Sequence, residues 1–397
     1  MKYGIIGEAA VEEETPGLEW ARLGDTLLCW TEDDERWPAG LALQEPAAQA
    51  PSLYLVTQVG RLFQREHPDI PVLVDKGRYL VVGPDPEQAG AVRAHEDVCY
   101  QMRPLTAGIT VFRNVTPARR TPDPAVRELV KLVDEDAYQA TLRTLVGHGT
   151  RHSLNPAFRA AAEQAADLLR GLGYATSLAP ITVGSGSSLN VVAERAGEGG
   201  EPRGRVLVTA HLDSINAVDG PAAAAPGADD NGSGAAGLLE IARVFSGRRT
   251  THDLCLILFG GEEQGLFGSR QYVKALARAE RDRIRAVINM DMIGTLNTPA
   301  PTVLLEGAQT SQVLIDDLAT AAATYTSLAV QTSLHPFASD HVPFIDASIP
   351  AVLTIEGADR GNGNVHTAND TLAHIDFGLA LEIVRMNVAA TAAAAEV

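Results

Sequence analysis

A chain of 397 residues exceeds what one hydrophobic core usually supports, so its length predicts one large domain and a smaller one. With 45% hydrophobic and 21% charged residues it has the make-up of a soluble globular protein rather than a disordered one. The formal net charge of −18 argues against nucleic acid as a partner, because phosphate binding needs a basic stripe, and it disfavours an anionic membrane surface.

In chain order, the first segment is short of helix. β-type runs recur at 26–30, 52–59, 70–74, 79–82 and 109–112, separated by turn signals such as Trp37-Pro38 and Gly83-Pro84-Asp85-Pro86. Residues 87–93 fit one short helix. These features predict a small β-rich α+β domain over residues 1–118, followed by a linker at 116–124 rich in proline and polar residues. The sequence turns acidic before any apolar run develops at its start, so no secretory signal is read and a cytoplasmic location is expected. No run approaches the roughly 20 apolar residues that span a bilayer, and no membrane partner is expected. Cys255 lies in an apolar run and reads as a core thiol, whereas Cys29 and Cys99 read as a reduced pair.

From residue 119 helices and strands alternate, and 119–397 reads as one larger domain. Helical spacing covers 126–146 and 155–172, strands fall at 189–194 and 206–210, and a helix follows at 232–245. A buried strand at 254–259, a helix at 269–277 and another buried strand at 286–289 come next. The remainder is a strand at 303–305, a helix at 311–323, a strand at 352–355 and a helix from 377. Nearly continuous apolar strands between helices predict an α/β fold: a mixed, mostly parallel central sheet covered by helices on both faces.

In such sheets ligands bind where strands end and loops begin. The chemically loaded residues fall there. The run 206–210 delivers His211 and Asp213, the run 254–259 delivers Glu262 and Glu263 after two glycines, and 286–289 delivers Asp291. Asp230 lies in the loop before a helix, and His366 follows the last strand. Borderline divalent ions take imidazole and carboxylate ligands. Two such ions about 3.5–4 Å apart repel each other, so a bridging carboxylate is needed between them. One histidine and one carboxylate per ion, plus that bridge, requires two histidines and three acids, and a further acid can accept a proton from water. Taken singly each residue has a bland reading. Asp230 could be a helix N-cap, His366 a loop histidine, and two adjacent glutamates a solvated turn.

Together, five segments in order are similar to the M28 family of zinc peptidases, the group that contains the bacterial leucyl aminopeptidases. They are HLDS at 211–214, PGADDNGSG at 226–234, EEQGLFGS at 262–269, NMDMIG at 289–294 and HTANDT at 366–371, with SDHVPF at 339–344 as a less specific sixth. The resemblance covers roughly 125–397 and does not extend to residues 1–118. It implies two zinc ions per chain, with other divalent metals possible. In that reading Asp230 bridges both ions, His211 and Asp291 complete one site, and Glu263 and His366 complete the other. Glu262 is implied as the general base and Asp213 as the acid that orients His211. A cis peptide after Asp230 is implied as well.

The expected activity is that of an aminopeptidase acting on peptides with a free N-terminus. Two enzymatic alternatives share the fold: a carboxypeptidase or dipeptidase in which Arg360 clamps a terminal carboxylate, and a glutaminyl-cyclase-like acyl transferase, which works with one zinc. A non-catalytic binding protein is the alternative from another class, and the intact set of six residues disfavours it.

Overall fold

The computed structural model describes residues 1–7, 18–33, 37, 43, 47–59, 61–94, 100–359 and 362–397. It divides into two compact units. The first comprises 1–115 with 331–338 and 358–363, and the second 116–330, 339–357 and 364–397.

The first unit holds β1 (Lys2–Gly7), β2 (Glu19–Leu23), β3 (Thr26–Thr31), β4 (Ala48–Gln49), β5 (Tyr54–Gln58), α1 (Leu62–Glu66), β6 (Val72–Asp75), β7 (Tyr79–Val82), α2 (Pro86–Ala94), β8 (Tyr100–Pro104) and β9 (Ile109–Val115). Strands β9-β2-β3-β1-β4 pair in that order, with only β2 and β9 parallel. Strands β6-β7-β5-β8 form a second, antiparallel sheet. Its apolar side packs Val56, Leu80 and Met102 against Leu62 and Phe63 of α1 and Val92 of α2. The strand runs read from sequence are therefore present, and two segments from far down the chain join them. Ser333 Oγ donates to the carbonyl of Val111 (2.7 Å), and Arg78 Nη2 donates to that of Phe337 (2.7 Å). Burial pushes the Cys29 thiol up to about 11. Cys99, its expected companion, lies outside the described residues.

The second unit opens with α3 (Pro124–Val130), α4 (Glu135–Val146) and α5 (Pro156–Gly171). The single helix expected over 126–146 is thus two. Asp134 ends the first by capping the second, its side chain accepting from Ala137 N (2.8 Å), while Glu240 accepts the N–H of Asp134 itself (2.6 Å). The hairpin of β10 (Ala175–Val183) and β11 (Gly186–Arg195) follows, then β12 (Arg205–His211), α6 (Gly234–Phe245), β13 (Asp253–Phe259), α7 (Phe267–Ala275), α8 (Arg278–Arg281) and β14 (Ile284–Met290). The chain continues through β15 (Thr302–Glu306), α9 (Gln312–Tyr325), β16 (Ala329–Ser333), α10 (His341–Asp346), β17 (Ala351–Glu356) and α11 (Phe377–Ala395).

The sheet runs β10-β11-β13-β12-β14-β17-β15. Its four central strands β13-β12-β14-β17 are parallel and its outer pairings antiparallel. Central strands are buried along almost their whole length, as expected of a sheet covered on both faces. On one face Leu207, Ile257, Phe259 and Val287 meet Val273 of α7 and Phe344 of α10, with the Cys255 thiol buried among them. Helix α11 is long and apolar enough to cross a membrane, against the expectation that no run approaches that length. It is a core helix here, packed on α9, α3 and α6 with Leu379, Ile383, Val384 and Val388 buried.

Candidate metal centre

The parallel strands end side by side and hand their successors to one place. His211 is the last residue of β12, Glu262 and Glu263 follow β13 by a two-glycine turn, and Asp291 follows β14 directly. Gly261 makes that turn with φ +69°, where a Cβ would also meet Val183 at 2.7 Å. Asp230 arrives from the irregular segment Ala228–Ser233, in which it has φ −102° and ψ 97°. The Asp230–Asn231 peptide is cis, as the resemblance implies. Gly227 opens this segment in the left-handed region, where a Cβ would lie 2.4 Å from the carbonyl oxygen of Asp230. Asp230 is not the cap of α6: the residue before that helix is Ser233, and its first amide, on Gly234, donates to Oδ1 of Asn231 (2.9 Å). His366 comes from the loop after β17 with φ 58°.

The structure brings all these residues together. Nε2 of His211 lies 3.1 Å from Oδ1 of Asp291 and 3.3 Å from Oδ1 of Asp230. Nε2 of His366 lies 2.8 Å from Oε2 of Glu263 and 3.1 Å from Oδ2 of Asp230. The two oxygens of Asp230 therefore face different histidines, each of which has a second carboxylate of its own. Glu262 stands on the His211 side, with Oε2 4.0 Å from Nε2. Two triplets, His211–Asp230–Glu263 and His211–Glu262–Asp291, have ligand atoms within 4.8 Å of one another.

Asp213 faces His211, as the resemblance implies, and it also reaches the turn after β13. Its carboxylate is 3.6 Å from Nδ1 of His211, and its own main-chain carbonyl is nearer at 3.2 Å. The carboxylate also accepts the amides of Glu262 (3.3 Å) and Glu263 (3.2 Å). Ser339, from the SDHVPF segment, donates to Oδ2 of Asp291 (2.7 Å) and accepts from Asn289, which in turn accepts from Thr209. Arg360, the cation considered for a substrate carboxylate, lies outside the described residues.

Electrostatics single out the cluster. Burial pushes Glu262 well above the usual carboxylate range, opposed by the charge of His211 and aided by those of Asp291, Asp340 and Glu263. Glu263 is pushed up to about 7 by burial and by Asp230. Burial alone would also raise Asp230 and depress His211. Hydrogen bonds from His211 and His366 nevertheless hold Asp230 below the usual range, and the charges of Glu262 and Asp291 raise His211 well above its own. Four buried carboxylates crowd two imidazoles, and Oε1 of Glu263 is buried with no hydrogen-bond partner among the described residues. A donor set of nitrogen and oxygen atoms with surplus negative charge fits divalent cations.

One residue behind the centre was invisible in the sequence. Arg151 is fully buried. Its guanidinium donates to the carbonyls of Leu212 (2.8 Å), Pro226 (2.6 Å) and Gly227 (2.8 Å), tying the His211 loop to the Asp230 loop. Burial lowers its pKa to about 10, opposed by Asp370, Asp213, Asp230 and Glu263. It lies in the loop between α4 and α5, where a single arginine among polar residues carries no periodic signal.

The leupeptin-inactivating enzyme 1 of Streptomyces exfoliatus is 30% identical over 237 residues, 58% of this chain and 50% of that protein. The chain thus spans about half the length of the curated relatives it matches. Among solved structures, the LapA aminopeptidase of Legionella pneumophila aligns at a TM-score of 0.61 and 18% identity, covering 87% of this chain and 99% of that one. BSAP, a zinc aminopeptidase from Bacillus subtilis, aligns at 0.58 and 20%, covering 66% and 95%. At these identities the two structures establish the fold. The sequence profile of peptidase family M28 matches residues 190–391, from β11 into α11 and across every segment that supplies the centre, and the chain belongs to that family.

Proposed function

We propose that the protein is a two-zinc aminopeptidase that releases N-terminal residues from peptides. The observation that carries this reading is the orientation of Asp230, whose two oxygens face Nε2 of His211 and Nε2 of His366 at 3.3 and 3.1 Å. His211, Asp291 and Asp230 would hold one ion, and His366, Glu263 and Asp230 the other. Bound zinc supplies polarisation of the scissile carbonyl and acidification of a water molecule. Glu262 is the group left over: it takes a proton from the attacking water and delivers it to the leaving amine. The names of the zinc aminopeptidase relatives support the reaction class.

Substrates with a free α-amine are expected to be cut and their N-acetylated equivalents to be left intact. A panel of amino-acid arylamides and matched blocked peptides checks this. Efficient cleavage of blocked peptides from the carboxyl end contradicts it and favours the carboxypeptidase alternative.

A further inference from the structure

The loop that presents Asp230 is held by a residue with no assigned role. Asp370 is 2% exposed and follows His366 by four positions. Three consecutive amides converge on it. Its Oδ1 accepts from Asp229 N (2.9 Å), its Oδ2 from Asp230 N (2.9 Å), and its main-chain carbonyl from Ala228 N (3.1 Å). Successive N–H groups aimed at one acid form an anion-binding concavity, here filled from within the chain. Asp213 makes the same arrangement on the other side, one oxygen on each amide of Glu262 and Glu263. Each histidine loop therefore carries an acid that grips the two amides of an acidic pair on another element. His211 and Glu263, which face different sides of Asp230, are linked through Asp213. Asp370 likewise links His366 to Asp230, the residue shared by both sides.

We propose that Asp370 is a positioning residue for the metal centre, fixing the carboxylate of Asp230 so that its two oxygens serve two ions at once. Any loss at Asp370 is then felt at both sites, because Asp230 is common to them. Asn in its place presents an NH₂ group to one of the two amides and leaves that N–H unmatched. Partners that orient a metal ligand typically contribute about 10–100-fold to affinity.

This inference rests on the two-zinc reading, and zinc titration of the metal-free full chain against a chromophoric chelator tests the two separately. The wild type is expected to take up zinc at two sites. Asp370→Asn is expected to weaken both by about 10–100-fold, while the melting temperature of the metal-free protein stays within roughly 3 °C of wild type. Asp370→Asn added to Asp230→Ala should bring no further loss, since a residue acting through Asp230 has nothing left to position. A wild type that binds no zinc overturns the parent reading and this one with it. A two-site wild type beside an Asp370→Asn chain of unchanged affinity and lowered melting temperature overturns the Asp370 assignment alone. Equal further loss in the Asp230→Ala background does the same. Should Asp370→Asn not fold, Asp370→Ser, which is smaller and keeps one acceptor, is titrated in its place. Failure of both to fold with or without zinc makes Asp370 purely structural and overturns the proposal.

Discussion

Replacing Glu262 by Gln is expected to lower turnover by roughly 10²–10⁴ while leaving zinc content nearly unchanged. The amide preserves the shape of the side chain and removes the proton acceptor. Among the acids of the centre, Glu262 is the one that stands off: its nearest imidazole contact is 4.0 Å, against 2.8 Å from Glu263 to His366. Glu263→Gln should behave differently. It removes charge from the side of Asp230 that faces His366, and its loss of zinc should at least match the ~10–100-fold that an orienting partner contributes. Metal analysis and steady-state kinetics on both variants check the pair. If Glu262→Gln loses the metal and Glu263→Gln keeps it, the roles of base and ligand are reversed.

Arg151→Met is expected to destabilise the metal-free protein by about 3 kcal/mol. The guanidinium donates at 2.6–2.8 Å to the carbonyls of Leu212, Pro226 and Gly227, with a longer contact to Leu145 (3.4 Å), and each buried carbonyl left unmatched costs about 1–3 kcal/mol. Removing a buried charge returns part of that cost, because the desolvation that lowers its pKa to about 10 is relieved. For a unit of this size the balance corresponds to a fall in melting temperature of about 5–10 °C. Arg151→Lys should recover only part of it, since an ammonium cannot reach three carbonyls in the planar fork geometry. A melting temperature within about 1 °C of wild type for Arg151→Met would mean that water replaces the guanidinium without loss.

What the sequence discloses follows from where apolar runs stop. Runs at 206–210, 254–259 and 286–289 are buried parallel strands, and a histidine and three acids gathered at their ends are hard to explain by structure taken together, though each alone is not. His211, Glu262, Glu263 and Asp291 are therefore legible from the amino-acid order alone. Strand β10 is not: ATSLAPITV mixes polar residues with Pro180, which suits the edge position the strand occupies and hides it from an apolar pattern. The break between α3 and α4 is hidden for a different reason. No Gly or Pro marks it, and the acceptor that fixes Asp134 is Glu240, more than a hundred residues away. Main-chain grips are the least legible of all. Asp213, Asp370 and Arg151 act on amides and carbonyls, which have no side-chain identity, so the resemblance implied only the link from Asp213 to His211 and left the other two without a role.

The two-zinc account is tested most directly by metal analysis of active protein, followed by stepwise zinc return to the chelated chain while arylamide hydrolysis is measured. The account predicts about two zinc ions per chain, loss of activity on chelation and recovery as both sites refill. Active protein with a stoichiometry near zero, or turnover that persists in excess chelator, would contradict it.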